Sequence, residues 1–471
     1  MTRAVDRAKL ESLTRTESER FAAEHPESKR LFEAARDHVW GGVPMHWMRL
    51  WPGSHPIYAA KSKGARIVDV DGHEYVDFCL GDSGALFGHA PEALVRGAAE
   101  QLARGITTML PTADAAAVAE NLADRFGLPL WQFCLSATDA NRFAIKLARA
   151  ATGRARIVVF DGCYHGSLDE TLVALRNGTT VPIASNIGPA VDPGVTTRAV
   201  PFNDLDRLED ALRARDVACV LAEPALTNFA MVLPEPGFHD GVRALTRRYG
   251  SLLVIDEAHT ICAGPGGGTR AFGLEPDFVT LGKPIAGGIP AAAYGFSHAV
   301  GEAVDAWRAK VDGFVSGIGG TLAGNAFGLH AMRVALEDVL TPVAFAHMTG
   351  LAERLATGLD SVIARHGVPW SIGRRGGWGF FGSVLRADRR GAGIGRGRRV
   401  RALGHALGGD LLRCRRPPRR DPVPGERAAQ RRRGPGASRR GARPRAAPVP
   451  AQPGHPDDHL LQRRPDLAGD D

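Results

Sequence analysis

The chain has 471 residues, 44% of them hydrophobic, and a formal net charge of +8 at pH 7. This length is ample for one large α/β domain with a smaller domain beside it. The charged N-terminal stretch argues against a signal peptide, and no apolar run is long enough to span a bilayer, so we expect a cytoplasmic protein without a membrane partner. The six cysteines have no zinc-binding spacing and are expected to be reduced thiols, so no metal site is predicted.

The first predicted elements are a charged helix over residues 17–38 and short strands at 57–60 and 65–68. The pair Asp71-Gly72 indicates a hairpin turn leading into residues 74–77. From residue 91 to 294, short apolar strands alternate with helical stretches, among them 91–105, 115–126 and 238–249. That alternation predicts an α/β fold with a mostly parallel sheet and helices on both faces. Long helices are expected at 324–340 and 342–366.

Small hydroxylated residues follow the first apolar strand of this region. The strand at 131–135 ends at Ser136, Ala137 and Thr138, where a helical pattern begins. A helix N-terminus presents unpaired N–H groups and the positive end of its dipole, which together suit a phosphate group. A plain N-cap explains the same residues, because Ser and Thr are favoured there.

Three further strand or loop ends carry polar or aromatic residues. Tyr164 follows the strand at 157–160, and its ring could lie on a flat ligand or belong to the core. Glu223 and Asn228 follow the strand at 218–222, and Thr321 lies in a glycine-rich loop before a long helix. Open α/β sheets bind ligands at such ends.

The strongest pattern pairs a carboxylate with a lysine. The apolar strand at 252–255 ends at Asp256, and a second short strand at 278–281 is followed by Lys283 in a glycine-flanked turn. A pyridoxal phosphate site needs a carboxylate that keeps the pyridine nitrogen protonated and a lysine that forms a Schiff base with the aldehyde. The two together predict pyridoxal 5'-phosphate as cofactor. A nicotinamide enzyme is not expected, because no Gly-x-Gly-x-x-Gly follows a first strand.

In family order, these blocks resemble the class III aminotransferases of fold type I, most closely the branch of glutamate-1-semialdehyde aminomutase, over residues 41–370. The resemblance implies catalytic roles for Lys283 and Asp256. It also implies a homodimer with shared active sites, in which Thr321 reaches the phosphate site of the opposite subunit. The expected cofactor-binding residues are Ser136, Ala137, Thr138, Tyr164, Asn228, Ala258, His259 and Thr321.

Two positions depart from the family's common pattern. Ala137 stands where glycine is usual in the phosphate cup, and its methyl limits how closely the backbone approaches. His259 stands where glutamine or methionine is common. A histidine there either donates to the cofactor's phenolic oxygen or is a satisfied core side chain.

The resemblance implies three segments, and composition separates a fourth. Residues 1–75 form the N-terminal segment and part of a small α+β domain, 76–330 the large cofactor-binding domain, and 331–373 the start of the C-terminal part of the small domain.

Residues 374–471 hold 24 arginines, no lysine and nine acidic residues, so this segment carries +15 and the rest of the chain −7. It is interpreted as a nucleic-acid-binding tail, a disordered linker or an out-of-frame translation. The last is favoured, so no nucleic acid partner is expected.

The predicted function is transfer of an amino group between an amino acid or amine donor and a carbonyl acceptor. The alternative is an aminomutase, which moves the group within one molecule. A racemase or decarboxylase would use the same lysine and aspartate. A catalytically impaired cofactor-binding protein with a misframed C-terminus is the alternative of another class.

Overall fold

The structure is a computed structural model that describes residues 6–50, 53–228, 231–313, 316–367 and 372. Helices α1 (Arg7–Glu24) and α2 (Pro26–Ala35) open the chain, followed by two short 3-10 helices. The prediction of one helix over 17–38 was wrong in two respects, because the helix begins earlier and breaks at His25. The break follows from Pro26, which has no N–H to donate and restricts the residue before it.

A three-stranded antiparallel sheet follows, with strands β1 (Ala59–Lys63), β2 (Arg66–Asp69) and β3 (Glu74–Val76) in that order. The predicted turn at Asp71-Gly72 joins β2 to β3, so that prediction is confirmed. Gly72 has φ +92, a left-handed conformation that glycine adopts without strain.

The large sheet has seven strands, in the order β4-β12-β11-β10-β9-β5-β8. Only β12 runs antiparallel to its two neighbours, so the predicted mostly parallel sheet is confirmed. The antiparallel β12 and a separate hairpin of β6 and β7 were not predicted. In chain order the strands are β4 (Leu130–Cys134), β5 (Arg156–Phe160), β6 (Val173–Arg176), β7 (Thr179–Pro182), β8 (Thr197–Val200), β9 (Val217–Ala222), β10 (Leu252–Asp256), β11 (Phe278–Leu281) and β12 (Ala292–Phe296).

Helices cover both faces of this sheet. Alternate residues of β5 enter different apolar clusters, since Val158 and Phe160 pack on one side and Ile157 and Val159 on the other. All six residues of β9 are buried, as expected for a central parallel strand. The remaining helices are α3 (Glu92–Arg104), α4 (Ala113–Phe126), α5 (Ala137–Thr152), α6 (Leu205–Leu212), α7 (Phe238–Tyr249), α8 (Gly267–Ala271), α9 (His298–Arg308), α10 (Ala326–Val334) and α11 (Pro342–His366).

Helix α10 passes into one π-helical turn at Ala335–Val339, which corresponds to the end of the predicted helix at 324–340. Helix α11 covers the range predicted for the last helix. Within the described ranges, no helix is both long and apolar enough to span a membrane. The predicted domain boundaries at 75/76 and 330/331 stay predictions. The arginine-rich segment from 374 lies outside the described residues.

Candidate active site

Asp256 and Lys283 lie at the same edge of the large sheet. Asp256 is the last residue of β10, and Lys283 follows the neighbouring parallel strand β11, whose Thr280 pairs with Asp256. Parallel strands bring their carboxyl ends to one edge, which explains why residues 27 positions apart meet there.

Asp256 is buried and held by three donors. Its Oδ2 accepts from Asn141 Nδ2 at 2.7 Å and from His165 Nδ1 at 2.8 Å, and its Oδ1 accepts from the N–H of Ala258 at 2.9 Å. Burial alone would raise the pKa of the Asp256 carboxyl, but the hydrogen bond and charge of His165, followed by the other two donors, bring it below its ordinary value. Asp256 is therefore ionised at neutral pH.

Asn141 and His165 both contact Asp256 and were not among the predicted site residues. Asn141 lies on the first turns of α5, where Thr280 Oγ1 donates to its Oδ1 at 2.7 Å and so turns its amide toward Asp256. His165 is buried, and burial opposes its charged form. The Cys163 sulfur and the Asp256 carboxylate nevertheless hold the pKa of His165 well above its ordinary value. Its position after a strand, beside Tyr164, was the only sequence signal.

The predicted phosphate cup is the N-terminus of α5. Ser136 is its N-cap and accepts the N–H of Asp139 at 3.2 Å, so the N-cap interpretation is correct as far as it goes. In the described part of the chain, no acceptor takes the N–H groups of Ala137 and Thr138. Both remain free for an anion at the positive end of a 16-residue helix.

Two glycines pack other loops against this cup. A Cβ at Gly166 would lie 2.1 Å from Thr138 Oγ1, and one at Gly282 would lie 2.8 Å from the Cβ of Ala137. The loop after β5 and the turn that carries Lys283 therefore both lie against the start of α5. The structure thus brings together the cup, the loop of Tyr164, and the Asp256–Lys283 edge.

Lys283 has a left-handed backbone, with φ +53, and its side chain meets a histidine. Its Nζ lies 2.8 Å from His259 Nε2, and His259 Nδ1 lies 2.8 Å from Ser83 Oγ. Ser83 donates its hydroxyl proton to the carbonyl of Asp82 at 2.7 Å, so Ser83 Oγ accepts from His259 Nδ1–H. His259 Nε2 is then unprotonated and accepts from Lys283.

The surroundings of His259 determine its charge. Burial and the positive charge of Lys283 lower the pKa of His259 to about 4, so the imidazole is neutral at pH 7. Asp82 also lies near Lys283 Nζ, at 3.7 Å, but its side chain is 65% exposed and the ion pair is correspondingly weak. Ser83 and Asp82 were not predicted, and nothing local in the sequence marks them.

The other predicted residues lie around this centre. The rings of Tyr164 and Trp47 are 5.7 Å apart, and the N–H of Tyr164 lies 3.4 Å from Glu223 Oε1. Burial raises the pKa of Glu223 to about 7, although the charge of His165 and the hydrogen bonds from Thr227 oppose that shift. Asn228 is exposed and donates from Nδ2 to Thr227 Oγ1 at 3.3 Å.

Thr321 lies elsewhere. It lines a cleft of about 200 Å³ formed by residues 107–111, 320, 321 and 323–325, which includes neither Lys283 nor Asp256. Among the described residues, no hydrogen bond joins Thr321 to the Asp256–Lys283 edge. Its assignment to the partner's phosphate site stays a prediction.

The residues present fit pyridoxal phosphate. A carboxylate oxygen accepts two hydrogen bonds, and Oδ1 of Asp256 takes only one within the described chain, so one lone pair remains for a pyridinium N–H. The free N–H groups at the start of α5 fit the phosphate, and Lys283 fits the aldehyde.

Comparison with known proteins gives a consistent result. The family described as aminotransferase class-III matches residues 51–390. A glutamate-1-semialdehyde 2,1-aminomutase of Roseiflexus castenholzii is 34% identical over 366 residues, which cover 75% of this chain and 82% of the relative.

Solved structures agree. A glutamate-1-semialdehyde aminomutase from Pseudomonas aeruginosa PAO1 is 47% identical, with a TM-score of 0.76 over 79% of this chain and 83% of that one. A variant of that protein was crystallised in complex with PMP. An omega-transaminase from Sphaerobacter thermophilus is 33% identical, with a TM-score of 0.66 over 74% of this chain and 81% of that one.

Proposed function

The chain belongs to the class III aminotransferases, and on that premise we propose that Lys283 and Asp256 carry a pyridoxal-phosphate-dependent transfer of an amino group. The observation that carries the proposal is the buried, ionised Asp256 with one Oδ1 lone pair to spare, beside the strand that ends at Lys283. When bound, the cofactor supplies an electron sink for the substrate carbon next to the amino group.

Asp256 acts by holding the proton on the ring nitrogen. A buried carboxylate that keeps its negative charge forms a charge-assisted hydrogen bond to that N–H, which is stronger than a neutral one. His165 and Asn141 position Asp256, because both donate to Oδ2 and leave the free lone pair of Oδ1 available.

Lys283 would hold the cofactor through its amine, and its Nζ, once freed by an amino donor, is the base that would move the proton at the substrate carbon. His259 supports this step by accepting an N–H of Lys283, which holds Nζ on the side of Ser83. A neutral imidazole adds no repulsion to an ammonium group, so it tolerates both charge states of the lysine.

The remaining predicted residues would bind the cofactor and enclose it. Ser136, Ala137 and Thr138 would hold the phosphate at the start of α5, and Tyr164 and Ala258 would pack against the cofactor ring. His259 would act through Lys283, because both of its ring nitrogens are already hydrogen-bonded, and Asn228 would be a further polar group near the cofactor. Thr321 completes the phosphate site of a partner subunit in a homodimer, which works in the cytoplasm on a small amino acid or amine.

The test is covalent labelling at Lys283. Full-length protein loaded with the cofactor is reduced with borohydride, digested and mapped by mass spectrometry. We expect the pyridoxyl mass on the peptide that contains Lys283 and on no other lysine. A label on another residue, or no label in folded protein supplied with cofactor, would refute the proposal.

A second candidate is intramolecular transfer, because the relatives named above are glutamate-1-semialdehyde 2,1-aminomutases. Their name describes movement of an amino group from carbon 2 to carbon 1 of one molecule. Glutamate-1-semialdehyde supplied alone should isomerise if this chain does the same. A requirement for a separate amino donor and carbonyl acceptor would favour the intermolecular reaction.

A third candidate function follows from the arginine-rich segment at 374–471, most of which lies beyond the end of the family match at residue 390. If it is an out-of-frame translation, the chain retains the cofactor site but turns over substrate poorly. The nucleotide sequence across residues 365–385 decides the reading frame, and single-turnover assays on purified protein decide whether the chain is active as written.

A further inference from the structure

We propose that His25, Asp69 and His73 form a binding site for a divalent transition-metal ion of the zinc type, remote in sequence from the Asp256–Lys283 edge. His25 joins α1 to α2, Asp69 ends β2, and His73 lies in the turn before β3. A bound ion would fasten the N-terminal helices to the three-stranded sheet.

The spacing of the three ligand atoms fits such an ion. His25 Nε2 lies 3.5 Å from Asp69 Oδ2, and His73 Nδ1 lies 3.1 Å from the same oxygen. All three atoms lie within 4.8 Å of one another. Four ligands at about 2.0–2.1 Å in a tetrahedron are about 3.3 Å apart. Both distances to Asp69 Oδ2 are close to that value.

Hydrogen bonds already orient two of these ligands. His25 Nδ1 lies 2.8 Å from the carbonyl of Phe21, which only accepts, so Nδ1 carries a proton and Nε2 is the nitrogen that faces the cluster. Zinc-binding histidines usually donate their other ring N–H in this way. Asp69 Oδ1 accepts the N–H of His73 at 2.8 Å, which leaves Oδ2 to face both imidazoles.

Burial gives the site a closed side and an open side. The side chains of His25 and Asp69 are 7% and 0% exposed, whereas that of His73 is 40% exposed. An ion can enter past His73, whose partly exposed side chain has room to move toward the ion. The Tyr75 hydroxyl lies 2.7 Å from Asp69 Oδ2 and 2.8 Å from His25 Nε2, so it competes with an ion for both atoms.

The donor set selects the class of ion. Two imidazole nitrogens and one carboxylate oxygen suit Zn²⁺, Co²⁺ or Ni²⁺, whereas Mg²⁺ and Ca²⁺ prefer oxygen ligands. The absence of Cys-x-x-Cys or closely spaced Cys/His pairs led the sequence analysis to predict no metal. This cluster escapes such a search because His25 lies 44 residues before Asp69 in the chain.

The test uses full-length protein carrying its cofactor, stripped with EDTA and desalted. Zn²⁺ is titrated by calorimetry and Co²⁺ by visible absorption, in wild type and in His73→Asn. The matched control is His89→Asn, because His89 and Asp77 form a similar pair at 2.7 Å, with no third ligand among the residues that the structure describes. Tyr75→Phe is the second variant, since it removes the competing hydroxyl and keeps all three ligands.

We expect one ion per chain, binding at least tenfold weaker in His73→Asn, unchanged binding in His89→Asn, and binding at least as tight as wild type in Tyr75→Phe. The ion should raise the thermal midpoint of wild type and not that of His73→Asn. Equal affinity in wild type and His73→Asn would overturn the proposal, as would loss of all binding after alkylation of the cysteines. Loss of binding in Tyr75→Phe would also overturn it, because the tyrosine would then be a ligand in place of a competitor. Cofactor absorbance checks that each variant is folded, and the labelling at Lys283 tests the proposed function separately.

Discussion

Replacing Asp256 by asparagine keeps the shape of this buried side chain and removes its charge. The amide oxygen can replace Oδ2 and accept from Asn141 and His165, but the amide nitrogen then faces the N–H of Ala258, 2.9 Å away. One unsatisfied buried donor and a buried His165 without its counter-charge should together lower the free energy of unfolding by about 3 kcal/mol.

The catalytic effect should exceed this structural one. Asparagine presents no negative charge to a ring N–H, so the electron sink is lost where charge develops in the transition state. Electrostatic contributions of this kind are worth about 2.7–4 kcal/mol, or about 10²–10³-fold in rate. The assay is a single-turnover half-reaction with an amino donor, followed by the cofactor's absorbance in a stopped-flow instrument, at a temperature where the variant stays folded.

Glu257→Gln is the matched control, because Glu257 is the next residue and equally buried. Its carboxylate accepts from Thr260, Gly268 and Thr269, away from the free lone pair of Asp256. This variant should lose stability but keep a half-reaction rate of the same order as wild type. A folded Asp256→Asn protein that retains cofactor and reacts at nearly the wild-type rate would refute the assigned role.

Three further predictions use other residues of the site. Glu223 has a pKa of about 7 against an ordinary 4.5, so the folded state holds a proton that the unfolded chain releases between these pH values. The free energy of unfolding should therefore fall by up to about 3 kcal/mol as pH rises from 4.5 to 7. Glu223→Gln should abolish this fall, which is measured by thermal unfolding at a series of pH values. Gly166→Ala places a methyl 2.1 Å from Thr138 Oγ1 and should weaken cofactor binding at least about tenfold by equilibrium dialysis, whereas Gly178→Ala, equally left-handed but in open space, should leave it unchanged. His259→Gln, which keeps a donor and an acceptor, should preserve the pH dependence of the cofactor's absorbance, and His259→Leu should shift it; identical profiles in both would contradict the contact to the lysine.

Much of the site could be predicted because its signals are local. An apolar run that ends in a carboxylate predicts both β10 and Asp256, and the run before Lys283 predicts β11. Ser136 is a side chain favoured at helix N-termini, so it marks the start of α5. Such patterns depend only on neighbouring residues, which is why the sequence alone could propose the cup, the carboxylate and the lysine as candidates; their roles stay predictions.

Some local features were nevertheless misjudged. The charged stretch of α1 and α2 has helical propensity throughout, but Pro26 divides it. Strand β12 is rich in small residues and lacks the usual β-branched pattern. Its Gly295 lies under the ring of Trp131, where a Cβ would come within 2.6 Å. Small residues are needed in this strand because side chains of the neighbouring strands occupy the space beside it. Local β-propensity depends only on the strand's own residues and does not predict this.

The partners of the site residues were decided by the tertiary structure alone. Ser83 meets His259 across 176 positions, and Asn141 meets Asp256 across 115. The order of strands in the sheet, in which only β9 separates β5 from β10, brings the loop of His165 to Asp256. Sequence determines which side chains are available at each strand end, because that depends on local pattern. Which of them become neighbours depends on strand order and crossover packing, which are properties of the whole chain.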